Sequence, residues 1–382
     1  MILFMEEKVF KMKKVIVIGA GIVGASTAYQ LARLGAEVTL IDRFDKGQAT
    51  DAAAGIICPW VSQRRNKAWY KLVQGGARYY PTLIQQLKED GEENTGYEKV
   101  GAICLHTDQD KLEKMAERAI TRREDAPEIG EVIILTPEET KELFPPLADE
   151  YGSVLISGGA RVDGRALRDS FIKAAKKRGI RIINGSASLL NNETKVYGVT
   201  VEGKTIEADE VIVTAGAWAK ELFKPLHIHF LVNPQKAQVV HLEMTNEPTE
   251  KWPVIMPPNN QYILSFEGGR VVVGATHEDD VGFDYRVTPN GLNEIFSKAL
   301  QVAPGLGEST LVETRVGFRP FTPGFLPVIG RVPNLDGVFV ANGLGASGLT
   351  SGPYIGAELA KLALGKETEL DLSLYDVAGA IE

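Results

Sequence analysis

The chain's 382 residues suggest two or three structural units, and its 44% hydrophobic and 24% charged content excludes wholesale disorder. Forty-two basic against fifty acidic side chains leave a net charge of −8, which argues against nucleic acid or a strongly anionic membrane surface as partner. The unusual number is 39 glycines, about a tenth of the chain against an average near 7%, and they fall between periodic apolar segments, not in repeats.

Residues 1–11 mix apolar and charged side chains over too short a stretch for a signal peptide. Met12 stands directly before the first strand and is a candidate start, which the intact mass of the native protein would settle. Val15 to Ile18 is a continuous β-branched run, as expected of a parallel strand buried on both faces. Ile22 to Leu34 reads at helical spacing with Gly35 as its stop, and Val38 to Ile41 is a second buried strand. Helical spacing returns over 68–87 and 109–123, and Thr136-Pro137-Glu138-Glu139 is a capping box. Asp163 caps a helix running to Arg178, a strand follows over 180–183, and Asn191-Asn192 suggests a hairpin turn.

Glu210 to Ala215 is another buried strand. From about 225 to 316 short alternating strands dominate, with one long helix near 292–302, which suits an antiparallel sheet with one wet face. His227 and His229 share one face of a strand there and lack a third ligand. A strand at 338–341 and a last helix from about Pro353 to Leu364 close the chain. The expected architecture is α/β: a Rossmann-like cofactor domain built from 1–97, 147–224 and 315–382, interrupted by an antiparallel-sheet substrate domain of 98–146 and 225–314.

Gly19-Ala20-Gly21-Ile22-Val23-Gly24 is a G-x-G-x-x-G between strand and helix. The first glycine allows the tight turn, the second lets pyrophosphate approach, and the third lets helix pack on strand. The helix N-terminus offers free N–H groups to phosphate. Asp42, followed by Arg43, ends the second strand where a carboxylate can accept from a ribose diol and disfavours a 2′-phosphate. This turn serves NAD and FAD alike. Two regions bear on the choice. The small residues from Ala49 through Ala54, Gly55 and Ile56 let backbone lie flat on a large planar ligand, or equally start a helix packed closely on the sheet. The run Gly343-Leu344-Gly345-Ala346-Ser347-Gly348-Leu349-Thr350 precedes the last helix, whose N-terminus can stabilise the negative charge of a reduced flavin.

With Val211 to Trp218, Gly317-Phe318-Arg319-Pro320 and Pro327-Val328-Ile329-Gly330 added, the sequence resembles the glycine/D-amino-acid oxidase family of FAD enzymes over nearly the whole chain from Met12. The resemblance implies a Rossmann-like FAD-binding domain beside an antiparallel-sheet substrate domain. It also implies that Gly19, Gly21 and Gly24 serve the pyrophosphate and Asp42 the ribose. Thr50, Ala54, Gly55, Ile56, Gly216 and the 343–350 loop would lie along the flavin, and the backbone around Ser188 would meet the adenine. Arg319 would grip the substrate carboxylate, with Tyr262 in the pocket. Leu344 replaces the histidine many relatives carry, Ala346 stands where glycine oxidases have a second arginine, and Asn260 and His277 also differ. These departures put glycine itself in doubt as substrate. Arg319 occupies the place where sarcosine oxidases attach flavin through cysteine, so FAD is expected to be non-covalent.

The implied reaction moves the Cα hydrogen of a small amino acid, a D-amino acid or an N-substituted glycine, as hydride to flavin N5, and the imine then hydrolyses to a 2-oxo acid. Hydride departure requires a neutral amine, which apolar walls favour by desolvation. Because the chain is negative overall, a local cation must draw the anionic substrate, and Arg319 with Tyr262 supplies one with a hydroxyl donor. Pairing of Arg319 with Glu313 is the plain structural alternative. A 2-hydroxy-acid dehydrogenase would use the same clamp with His277 as base. A flavin-binding assembly subunit and a nicotinamide dehydrogenase are the further alternatives. His277-Glu278-Asp279-Asp280 reads as a solvated turn, and no metal is expected. Cys58 and Cys104 form no disulfide framework, which fits a reducing, cytoplasmic setting, and Trp60 and Trp69 are left unplaced. Oxygen or a quinone as electron acceptor, peripheral membrane contact and a homo-oligomer all stay open.

Overall fold

The computed structural model describes residues 12–382; the reading of residues 1–11 lies outside them. A six-stranded sheet forms the centre of the cofactor-binding half. Lys14–Ile18 lies in its middle, parallel to Glu37–Asp42 on one side and to Glu210–Val213 on the other. Arg181–Asn184 and Val338–Asn342 extend it in parallel, and Val328–Arg331 closes one edge antiparallel. The central strands are apolar on both faces because both are covered: Val15 and Val17 pack against helices, and Ile16 faces a three-stranded antiparallel sheet formed by Ala187–Asn192, Lys195–Val201 and Lys204–Glu207.

The second sheet has eight strands and is largely antiparallel. Its backbone is the long pair Asn233–Glu243 and Thr310–Phe321, in register with Gln235 opposite Arg319. Arg270–Gly274 and Tyr262–Ser265 follow, with Tyr262 opposite Gly274. Gly152–Ile156 also belongs to this sheet, between Ala102–His106 and Val132–Leu135. The expected boundaries, 147–224 and 315–382 on the cofactor side, therefore cut across this sheet, taking in Gly152–Ile156 and dividing Thr310–Phe321 near its middle. The long strand stays paired with Asn233–Glu243 as far as Phe321 and lines the cavity with Gly317 to Pro320 while still in this sheet.

Two local expectations are corrected. His227 and His229 lie in irregular backbone after a short 3-10 turn and share no strand; His229 Nδ1 instead sits 3.0 Å from the Glu382 carboxylate. The last helix begins at Gly348, not Pro353, and runs to Ala363 with the proline inside it. A proline there leaves the carbonyl four residues back without its helical donor. That carbonyl, of Leu349, accepts the hydroxyl of the buried Tyr80 at 2.5 Å. The helix tolerates its proline because another helix, Lys67–Glu89, supplies the missing donor.

The first helix, Ile22–Arg33, and the last, Gly348–Ala363, start side by side. Ser26 Oγ donates to the Pro353 carbonyl at 2.8 Å, and a Cβ added at Gly356 would stand 2.6 Å from the Ser26 side chain. Small residues bring the two N-termini to one cavity. Among the described residues, no helix is long and apolar enough to cross a membrane.

Candidate active site

One elongated cavity of about 470 Å³ runs along the ends of the central strands and reaches between the two sheets. Of the expected cofactor residues, Gly19, Gly21, Ile22, Val23, Asp42, Arg43, Thr50, Ala54, Gly55, Ile56, Ser188, Gly216, Leu344, Gly345, Ala346, Gly348, Leu349 and Thr350 line it. Ala20, Gly24, Gly343 and Ser347 stand behind that wall. A Cβ at Gly24 would lie 1.8 Å from the Gly19 carbonyl, so this glycine sets how closely helix meets strand. A Cβ at Gly343 would lie 1.9 Å from Thr322 Oγ1, and Ser347 Oγ accepts from Trp69 Nε1 at 2.9 Å. Trp69 thus braces the loop, whereas Trp60 is buried in the core.

Around the Gly19–Gly24 turn, Asp42 braces the backbone. Its Oδ2 accepts the Ala20 N–H at 2.5 Å, and its Oδ1 accepts from the Phe44 N–H and from Gln48 Nε2 at 2.9 Å. Thr50 Oγ1 accepts the Ile22 N–H at 3.0 Å and so caps the first helix from a distant turn. Arg43 is paired with Asp45 at 2.6 Å and with Glu221 at 2.8 Å. At the other end Asn342 staples two turns: its Nδ2 donates to the Gly216 carbonyl at 2.9 Å, and its Oδ1 accepts the Gly343 N–H at 2.7 Å. Thr350 Oγ1 donates to the Ile56 carbonyl at 3.0 Å.

The fit of a dinucleotide can be read from what a methyl would meet. At Gly348, and at Gly216, where φ is +52°, an added Cβ finds nothing within 4 Å; at Gly21 it finds only Thr50 Oγ1, at 3.5 Å. These three line the cavity, two of them at helix N-termini, and present bare main chain to open space. Such a surface suits phosphates and a flat ring system. Neither Cys58 nor Cys104 lines the cavity; both are buried, and burial pushes both thiols up, Cys104 to about 12.

Past the flavin-side loop the wall is built of side chains: Asn260, Tyr262, His277, Phe318 and Arg319. Arg319 Nη1 donates to Gln235 Oε1 at 3.1 Å and to the Thr276 carbonyl at 3.4 Å. Among the described residues no carboxylate lies within 4 Å of it; Glu313, its expected alternative partner, is held by Arg315 instead. Burial lowers the Arg319 pKa against the pull of the adjacent Tyr262 hydroxyl. Burial raises Tyr262, which keeps its proton and remains a donor, although Arg319 opposes that shift. The His277 imidazole is held below its ordinary pKa by partial burial and then by Arg319.

The carboxylates that line the cavity, Asp42, Asp45 and Glu221, all cluster at the Arg43 end. Glu278 is engaged by Lys236, Gln238 and Thr276, and Asp279 accepts from Gln235. Sequence reasoning missed Gln235 and Thr276. Their signal was only the strand pairing that sets Gln235 opposite Arg319, which no local motif announces.

A family model described as FAD dependent oxidoreductase matches residues 14–362. A Bacillus subtilis protein described as an uncharacterized oxidoreductase, YurR, is 65% identical over 371 residues, 97% of this chain and 100% of its own. Glycine oxidase from Pseudomonas aeruginosa is 29% identical over 97% of this chain and 100% of its own. Among solved structures, iminodiacetate oxidase from Chelativorans sp. BNC1 superposes with a TM-score of 0.92 at 47% identity, covering 95% of this chain and 98% of that one. Glycine oxidase from Geobacillus kaustophilus superposes at 0.83 with 26% identity, covering 96% and 99%.

Proposed function

The chain belongs to the FAD dependent oxidoreductase family, and from that premise we propose that it oxidises the amine of a small amino acid, an N-substituted glycine of the iminodiacetate kind in preference to glycine. One observation carries the reading: Arg319 faces the cavity as a half-buried cation with neutral acceptors and, among the described residues, no carboxylate within 4 Å. A charge partly withdrawn from water gains from a counter-charge, and a substrate carboxylate supplies it. The likeness to iminodiacetate oxidase supports a secondary amine between two carboxylates. Asn260 and His277, on an acid-free stretch of wall, would receive the second carboxylate.

FAD, held by the Gly19–Gly24 turn, Asp42, the 50–56 segment and the 343–350 loop, would accept the two electrons and hydrogen lost from Cα. The protein's own residues would do the rest. Arg319 would orient the substrate by a paired guanidinium–carboxylate contact, and Tyr262 would add a hydroxyl donor. Arg319 beside an apolar wall would also favour the neutral amine that hydride loss requires, since a nearby cation and desolvation both disfavour ammonium. The imine left after oxidation would take up water and release a 2-oxo acid with an amine, so iminodiacetate would give glyoxylate and glycine.

The test is anaerobic bleaching of the holoenzyme by iminodiacetate, sarcosine, glycine, D-alanine, proline and lactate. Bleaching by N-substituted glycines is expected; bleaching by lactate alone would overturn the proposal and make His277 a hydroxyl base. Repetition in air with peroxide detection separates oxygen from another acceptor.

A further inference from the structure

Arg319 is held by dipoles alone, and the arrangement extends one residue further. Gln235 is 8% exposed, lies directly opposite Arg319 in the strand pair, and turns its Oε1 toward the guanidinium. Its other end, Nε2, donates to Asp279 Oδ1 at 2.9 Å. A primary amide can present either end to a neighbour, and only the oxygen end suits a cation. Asp279 Oδ1 accepts that bond, so it holds the amide with nitrogen outward and oxygen toward Arg319.

We propose that Gln235 is the positioning residue of the substrate clamp, oriented by Asp279, and that its neutrality is its function. A glutamate of the same shape would hold Arg319 equally well, but it would also cancel the charge that must receive the ligand. In a partly dry site such a pair satisfies itself and competes with any incoming carboxylate. The amide keeps the guanidinium in place, and the acid stays one residue farther away. This inference rests on the reading of Arg319 as a carboxylate clamp.

The experiment separates the two. Propionate, a carboxylate without an amine, is titrated calorimetrically into FAD-loaded wild type, Gln235→Glu and Asp279→Ala, with flavin content and thermal midpoint measured for each. Gln235→Glu is expected to weaken propionate by about tenfold or more, as a competing buried ion pair should. Asp279→Ala removes a negative charge near a cation, so charge alone would tighten propionate; loss of the fixed amide should instead weaken it by roughly threefold. Asp279 is exposed, so its variant reads the idea even if Gln235→Glu fails to load FAD. Wild-type affinity in a flavin-loaded Gln235→Glu, tighter binding in Asp279→Ala, or no propionate binding to wild type would overturn the inference. If the propionate pattern holds while no amino acid bleaches the flavin, the amine-oxidation reading falls and the positioning role stands. Bleaching with unaltered propionate affinities gives the reverse.

Discussion

The two ends of the cavity are made of different material. At the phosphate and flavin end, the surface offered to the ligand is main chain at Gly21, Gly216 and Gly348, with side chains such as Asp42, Thr50 and Asn342 bracing the turns. At the substrate end it is side chain: Arg319, Tyr262, His277 and Asn260, drawn from separate strands and loops of the second sheet. A main-chain surface recognises features common to every dinucleotide and tolerates little change. A side-chain surface can be rewritten one residue at a time.

The strongest way to break this contrast is Arg319→Met. Loss of this half-buried charge partner should reduce kcat/KM for the amino-acid substrate by about 10²–10³-fold while flavin content stays at the wild-type level. Coupled loss of flavin would show that the ends are not independent. A matched glycine pair sharpens the other side. Gly24→Ala places a methyl 1.8 Å from the Gly19 carbonyl and is expected to cost about 1–3 kcal/mol in chemical denaturation. Gly348→Ala meets open space within a helix, so stability of the apoprotein should hold or rise by up to about 1 kcal/mol while FAD affinity falls. Equal destabilisation by both would erase the distinction between packing and ligand-facing glycines.

A pH series bears on the side-chain end. His277 is held below its ordinary pKa by partial burial and by Arg319, and a bound carboxylate would pull it back up. Binding of a dicarboxylate therefore takes up protons, and its KM should fall relative to that of sarcosine as pH decreases from 8 toward 6, a dependence that His277→Gln removes. The opposite slope would make His277 the acceptor of the amine proton. A modest effect is expected at Thr50→Val, which deletes the acceptor of the Ile22 N–H and should cost about 1 kcal/mol in thermal unfolding.

The same contrast explains what could be read in advance. The phosphate turn lies within six consecutive residues, Gly19 to Gly24, because strand, turn and helix N-terminus are contiguous in the chain, and both flanking elements follow from local periodicity. Arg319, Tyr262 and His277 were reached through family resemblance, and the structure gathers them on one wall. Gln235 was invisible because its place depends on the register between Asn233–Glu243 and Thr310–Phe321, which alternation alone leaves undetermined. The start of the last helix was misplaced for a related reason. Proline is a sound local signal for the first turn of a helix, and deeper inside this one it is accommodated by a hydroxyl arriving from another helix.

That hydroxyl ties together two positions far apart in sequence. Tyr80 has value to the last helix because Pro353 leaves the Leu349 carbonyl without its helical donor, and Pro353 is tolerated there because Tyr80 supplies one. In evolutionary terms the two sites are epistatic. Phenylalanine at 80 would be harmful beside the proline and close to neutral beside an alanine at 353, so lineages should change the pair in that order, proline first.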